Sequence, residues 1–242
     1  MKLYVIGIGP GGEEQMTLRA VRALEACDCV AGYGLYLDLI ENLLVGKERI
    51  QTGMMREVDR CMAARDAALS GKTVAVVSSG DAGMYGMAGL MFELCEDFPE
   101  IEIEVIPGIT AACSGGAVLG SPLTCDFAAI SLSDLLTPWE VIEKRVRHAA
   151  AADLCIALYN PASKKRTDHL KKVCDLILET QPPEIVCGLV RNIGREGEDF
   201  RLLTLGELRD TQVDMLTTVF IGNSRTKNIG GRMVTPRGYK GV

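Results

Sequence analysis

Two patterns of apolar residues alternate along the first half of the chain: short uncharged runs, and longer stretches in which apolar side chains recur every three or four positions. Residues 3–7, 29–32 and 73–78 are runs of the first kind, and the last is the β-branched pattern of a parallel strand covered on both faces. The short stretch 49–52 and residues 101–106, which carry two glutamates, are further strands. The second pattern predicts helices over 16–26 and 57–69, and another in which Met84, Met87, Leu90, Met91, Leu94 and Cys95 share a face. Strands alternating with helices in this way predict a parallel sheet. Three of the strands run into glycine turns: Gly7-Ile8-Gly9-Pro10-Gly11-Gly12, Ser79-Gly80-Asp81-Ala82-Gly83 and Pro107-Gly108-Ile109-Thr110-Ala111.

Gly120-Ser121-Pro122-Leu123 interrupts this rhythm, which restarts behind it, so the sequence predicts two α/β domains, 1–120 and 121–242. The second begins with a strand over 127–131. A helix over 139–150 follows, with Trp139, Ile142, Val146 and Ala149 on one side and Pro138 at its start. A buried strand over 154–158 ends in Tyr159-Asn160-Pro161, and Leu170, Val173, Cys174, Ile177 and Leu178 mark the next helix. Further strands are expected over 185–190, 200–204 and 217–221. From Arg225 the tail carries Lys227, Arg232, Arg237 and Lys240 and no acid, which is either a solvated end or a dock for a polyanion.

Composition narrows the classes. A chain of 242 residues can bury roughly 70–75% of its extended surface, so it needs no staples. The net charge of −6 and a pI near 5.1 argue against a general nucleic-acid binder. Nine cysteines, no CxxC pair and only two histidines, His148 and His169, argue against both a disulfide framework and a protein-built zinc site. Free thiols in that number fit a reducing cytosol, and Met1-Lys2-Leu3 leads into a strand rather than a signal peptide. The uncharged stretch 105–125 is long enough to span a bilayer, but its four glycines and two prolines read instead as a strand end, a glycine-rich helix and a connection.

The turns carry the candidate chemistry, because ligands of open α/β sheets sit beyond the carboxyl ends of the strands. Gly7, Gly9 and Gly12 satisfy GxGxxG, yet the second strand ends in Tyr33-Gly34-Leu35-Tyr36, without the acid that would hold a dinucleotide ribose. Pro10 also removes an N–H that a pyrophosphate would use. Asp81 would repel a phosphate, and suits either the hydroxyls of a ribose and an ammonium group or the role of a cap. Thr110 likewise either caps the helix that follows it or meets a ligand.

These turns, together with Asp126-Phe127, the run Ile130-Ser131-Leu132-Ser133-Asp134-Leu135-Leu136-Thr137-Pro138-Trp139, Leu158-Tyr159-Asn160-Pro161, Gly222-Asn223 and Thr235-Pro236-Arg237-Gly238-Tyr239, resemble the tetrapyrrole (corrin and porphyrin) methylases. The resemblance runs from Leu3 to Tyr239, and the middle segments are similar to the branch that methylates carbon 17 of precorrin-3B or cobalt-factor III and contracts the ring. Cys125 stands where that branch usually has His.

The resemblance implies a two-domain α/β fold with a parallel-sheet N-terminal domain, a mixed-sheet C-terminal domain and an active site in the cleft between them. It implies S-adenosylmethionine as methyl donor, a tetrapyrrole substrate, a cytoplasmic homodimer, no protein-bound metal, and cobalt only within the substrate. The implied donor contacts are Pro10, Gly80, Asp81, Met84, Thr110, Ala111, Tyr159, Asn160, Gly188 and Thr218. The first glycine turn, with Gly9 and Gly11, would face the tetrapyrrole. Arg191, Arg195, Arg232 and Arg237 are candidates for its carboxylate arms, because Arg grips carboxylates bidentately. Ring contraction needs protons moved, and Asp126, Ser131, Ser133, Asp134 and Thr137 are the polar groups in the branch-like segment. The alternatives are a sibling methylase acting on another ring carbon and a tetrapyrrole-binding protein without turnover.

Overall fold

The computed structural model describes residues 1–241. Contacts divide the chain into two units, 1–110 and 111–242. In the first, β1 (Lys2–Gly7), β2 (Cys29–Tyr33), β3 (Glu48–Thr52), β4 (Val74–Ser78) and β5 (Glu102–Ile106) form a parallel sheet of order β3-β2-β4-β1-β5. Side chains alternate between its faces. Leu3, Val5, Ala31, Val74 and Val76 pack beneath α3 (Glu57–Leu69) and α4 (Ala88–Leu94), whereas Ile6, Val30, Ala75 and Val77 pack beneath α1 (Leu18–Glu25) and α2 (Gly34–Asp38). Neighbouring strands β1 and β4 therefore send their following helices to opposite faces. That opens the crevice between their carboxyl ends where ligands of such sheets bind.

The second unit holds a mixed sheet of order β10-β9-β11-β8-β7, from β7 (Phe127–Ser131), β8 (Cys155–Tyr159), β9 (Val186–Arg191), β10 (Asp199–Thr204) and β11 (Thr217–Ile221). Only β7 and β8 are parallel; the other pairs are antiparallel. On one face lie α6 (Trp139–Ala151), α7 (His169–Leu178) and α8 (Leu205–Arg209), burying Ile142, Val146, Val173, Ile177 and Leu208. The other face is covered by α5 (Ala111–Leu119). A side chain on Gly115 would meet Phe220 at 3.0 Å, and one on Gly188 would meet Leu119 at 2.7 Å. The absence of both lets α5 lie flat on this sheet. For that reason the units part after Thr110, not at 120, where the punctuation of the sequence had placed the boundary.

Two further differences have local causes. Residues 83–87 form turns rather than helix, because Asp81 takes up the amides of Gly83 and Met84 and the Ala88 amide turns back to the Ala82 carbonyl at 3.0 Å. The basic tail is not a loose end. Its hairpin, β12 (Lys227–Ile229) and β13 (Arg232–Val234), pairs in parallel with β6 (Gly120–Ser121). Among the described residues no helix is long and apolar enough to cross a membrane.

Candidate functional site

Three turns at the carboxyl ends of β4, β1 and β5 meet main chain against main chain. Gly9 and Gly80 exchange both of their backbone hydrogen bonds, at 3.0 and 2.7 Å. A methyl group on Gly108 would lie 2.1 Å from the Gly80 carbonyl oxygen, and one on Gly7 would lie 2.6 Å from the Gly108 nitrogen. Asp81 fastens this junction with its side chain. Oδ1 accepts from the amides of Gly83 (2.8 Å) and Met84 (3.0 Å), and Oδ2 accepts from Gly108 at 2.9 Å. The cap alternative for Asp81 is thus realised, though on a turn and a neighbouring loop rather than on a helix. Beside it the Thr110 hydroxyl donates to the Met84 sulfur at 3.1 Å, so Met84 is fixed by that loop and not by a helical stripe. Gly9, Pro10 and Gly11 are buried beneath the same junction.

The second unit presents its own cluster at the ends of β7 and β8, whose register sets Ser131 beside Tyr159. Asn160 follows with φ 52°, a left-handed conformation that Asn tolerates better than most residues, and its Nδ2 donates to the Ser131 hydroxyl at 3.0 Å. That hydroxyl also accepts from the Ser133 amide at 3.2 Å. The Tyr159 hydroxyl accepts from the amide of Ala112, next to Ala111 in the first turn of α5. Thr218 is buried in β11, and the space over Gly188 in β9 is filled by Leu119.

Nothing local in the chain signals the environment of Asp134. Its Oδ2 lies 3.0 Å from Nε2 of His169, and its Oδ1 lies 3.9 Å from Arg166 Nε. The hydrogen bond from His169 holds the Asp134 carboxyl below the usual carboxylate range. Arg166 also donates to the Leu132 carbonyl at 3.0 Å. Asp126 is exposed, and among the described residues neither its side chain nor that of Thr137 makes a hydrogen bond.

The basic candidates separate. Arg191 is paired with Asp214 at 2.6 Å, and Arg232 donates to the Val118 carbonyl while lying over the Phe200 ring. Arg195 is partly buried in the loop before β10, and Arg237 is exposed in the tail. Cys125, in the place of the usual His, has its sulfur 3.4 Å from a guanidinium nitrogen of Arg225. Most of the other thiols are core residues: burial pushes Cys27 and Cys174 up to about 12 and Cys61 up to about 11.

Two α/β units with a glycine-turn junction at the end of a parallel sheet define a known class. The family model of the tetrapyrrole (corrin/porphyrin) methylases matches residues 2–209, and the chain belongs to that family. Within it, the chain is 47% identical to a probable cobalt-factor III C(17)-methyltransferase from Salmonella typhimurium, over 98% of this chain and 99% of that one. Two other relatives are longer proteins, from Archaeoglobus fulgidus and Priestia megaterium, and the chain spans 53% and 45% of their lengths. Among solved structures, that of the methyltransferase CobJ superimposes with a TM-score of 0.90 at 37% identity, over 97% of this chain and 99% of that one. The uroporphyrin-III C-methyl transferase of Thermus thermophilus, solved with S-adenyl homocysteine, shares the fold at a TM-score of 0.71 and 20% identity, over 92% and 97% of the two chains.

Proposed function

We propose that the chain is an S-adenosylmethionine-dependent C-methyltransferase of cobalamin biosynthesis that methylates carbon 17 of precorrin-3B or cobalt-factor III with associated ring contraction. The observation that carries this reading is the junction of three turns fastened by Asp81, a main-chain surface that excludes side chains at the crevice of the parallel sheet. Such a surface suits a small polar ligand approached by backbone. The whole-length identity to a protein named as a C(17)-methyltransferase supplies the substrate class.

The residues present fit the donor. Gly80, Met84 and Thr110 offer main chain and a thioether around the turn, and Asp81 gives the turn its shape through three amides. In this reading Pro10, Ala111, Tyr159, Asn160, Gly188 and Thr218 complete the contacts. The donor supplies an electrophilic methyl group. A carbon of the electron-rich macrocycle is already a nucleophile, so no protein base is obligatory for transfer. What the chain contributes is alignment, worth about 7–11 kcal/mol when reactants are held near attack distance.

Ring contraction does require a proton acceptor. Asp134, held ionised by its neighbour, fits that role better than a proton donor's. Ser131, Ser133, Thr137 and Asp126 stand in the same segment, and Gly9, Gly11, Arg191, Arg195, Arg232 and Arg237 are the proposed contacts of the macrocycle and its arms. Cobalt, where present, enters within the substrate, and the protein acts as a homodimer in the cytoplasm. Mass spectrometry of the product from each of the two tetrapyrroles with S-adenosylmethionine tests the proposal. A gain of one methyl on either supports it; an unmodified macrocycle in both reactions overturns it.

A further inference from the structure

His169 opens α7 and is only 8% exposed. Both of its ring nitrogens face carboxylates: Nε2 lies 3.0 Å from Asp134 Oδ2, and Nδ1 lies 3.1 Å from Asp168 Oδ1. A carboxylate only accepts, so the two bonds form together when the ring carries a proton on each nitrogen. Trp139, at the start of α6, meets the ring edge-on with centroids 4.8 Å apart and braces its orientation. The cations around the cluster are Lys172, 2.7 Å from Asp168 and 5.6 Å from the centre of the Trp139 ring, and Arg166. The two carboxylates differ in what they would keep without the imidazole. Asp168 would retain Lys172 at contact distance, whereas Asp134 would retain no cation nearer than Arg166 at 3.9 Å.

We infer that His169 is a positioning residue: clamped between two carboxylates and braced by Trp139, it aims the Asp134 side chain and pins the loop that carries Ser131, Ser133 and Thr137. The same loop is tied a second time, from Arg166 to the Leu132 carbonyl. In the same loop Leu135 and Leu136 are exposed, the latter 98%. The pinning is a property of the second unit alone. Its consequence for turnover rests on the proposed function, in which Asp134 accepts a proton.

Two measurements test the inference, and they fail separately. The chain has only two histidines, so a ring proton of His169 is assigned by nitrogen-edited NMR from its loss in H169Q. The expected result is a slowly exchanging Nε2 proton in the wild type that disappears in D134A, which leaves no acceptor, while the His148 signals stay in place. An unchanged His169 ring in D134A overturns the inference. The second measurement is turnover of the tetrapyrrole. H169A should lower kcat about 10- to 100-fold, the scale of a misplaced group, with donor affinity within about twofold of the wild type. H169Q, whose amide can still donate to Asp134, should recover part of the loss. The acid limb of the pH–rate profile should move to higher pH in H169A, because the carboxyl of Asp134 loses the bond that holds it low. Wild-type kcat with an unshifted acid limb overturns the inference. A wild type that methylates neither tetrapyrrole yet shows the Nε2 proton removes the proposed function and leaves the pinning supported.

Discussion

Asp81 holds Gly108 across the end of the sheet: its Oδ2 accepts the Gly108 amide at 2.9 Å, so one carboxylate ties the turn after β4 to the turn after β5. Its other oxygen serves Gly83 and Met84. The D81A variant should leave the partly buried amides of Met84 and Gly108 without acceptors, at a cost of about 1–3 kcal/mol. Urea unfolding measures that loss. D81N keeps one acceptor oxygen and should fall between D81A and the wild type, with donor affinity, read by calorimetry, following the same order.

Gly108 cannot accept a side chain. A methyl group there would sit 2.1 Å from the Gly80 carbonyl oxygen, and both flanking contacts are backbone that cannot turn aside. G108A should therefore destabilise the chain by about 1–3 kcal/mol or more, as overpacking does, and should abolish donor binding. Gly12 is the control, since nothing lies within 4 Å of the same addition. G12A should melt within a degree or two of the wild type by calorimetry, on the order of the change expected at a surface site.

The tether of Asp134 has a defined dependence on pH. Its folded carboxyl is depressed by the bond from His169, so the tether is fully present above the ordinary carboxyl range. It is lost progressively as pH falls from the ordinary carboxyl range to the depressed value. Hydrogen-exchange protection of residues 131–137 should stay level from neutral pH down to the usual carboxyl range and fall from there until the depressed value is passed. In H169Q, where the bond to Asp134 is weaker, the fall should be smaller.

Thiol labelling should sort the cysteines by burial. Cys113 is exposed, whereas Cys27, Cys61 and Cys174 are buried with thiols pushed up by desolvation. At about pH 8 a maleimide should modify Cys113 within minutes and leave those three intact until denaturant is added. Peptide mapping by mass spectrometry reads the order. Equal rates at Cys113 and Cys174 would contradict this packing.

Much of the first unit was legible in the chain because its signals are local. Helix α3 spans the residues its spacing predicts, and strands β1 to β5 lie within a residue or two of theirs. The turn after β4 was legible as a turn but not as a clasp. Nothing in the spacing of Asp81 and Gly108 announces a hydrogen bond between residues 27 positions apart. The late start of α4 has the same origin, a carboxylate capturing amides that helical periodicity had assigned elsewhere. In the second unit, His169 carries no local sign of its role, because its partner Asp134 lies 35 positions away. The domain boundary shifted because Gly115 and Gly188 act through the room they leave, and an absent side chain has no periodicity.

A knot made of main chain alone also limits how this protein can drift. Where two side chains collide, a second substitution can restore the fit. Around Gly7, Gly80 and Gly108 the colliding atoms are common to every amino acid, so no second substitution is on offer. Descendants of this chain can change nearly everything around the knot, and they inherit the knot itself unaltered or lose it outright.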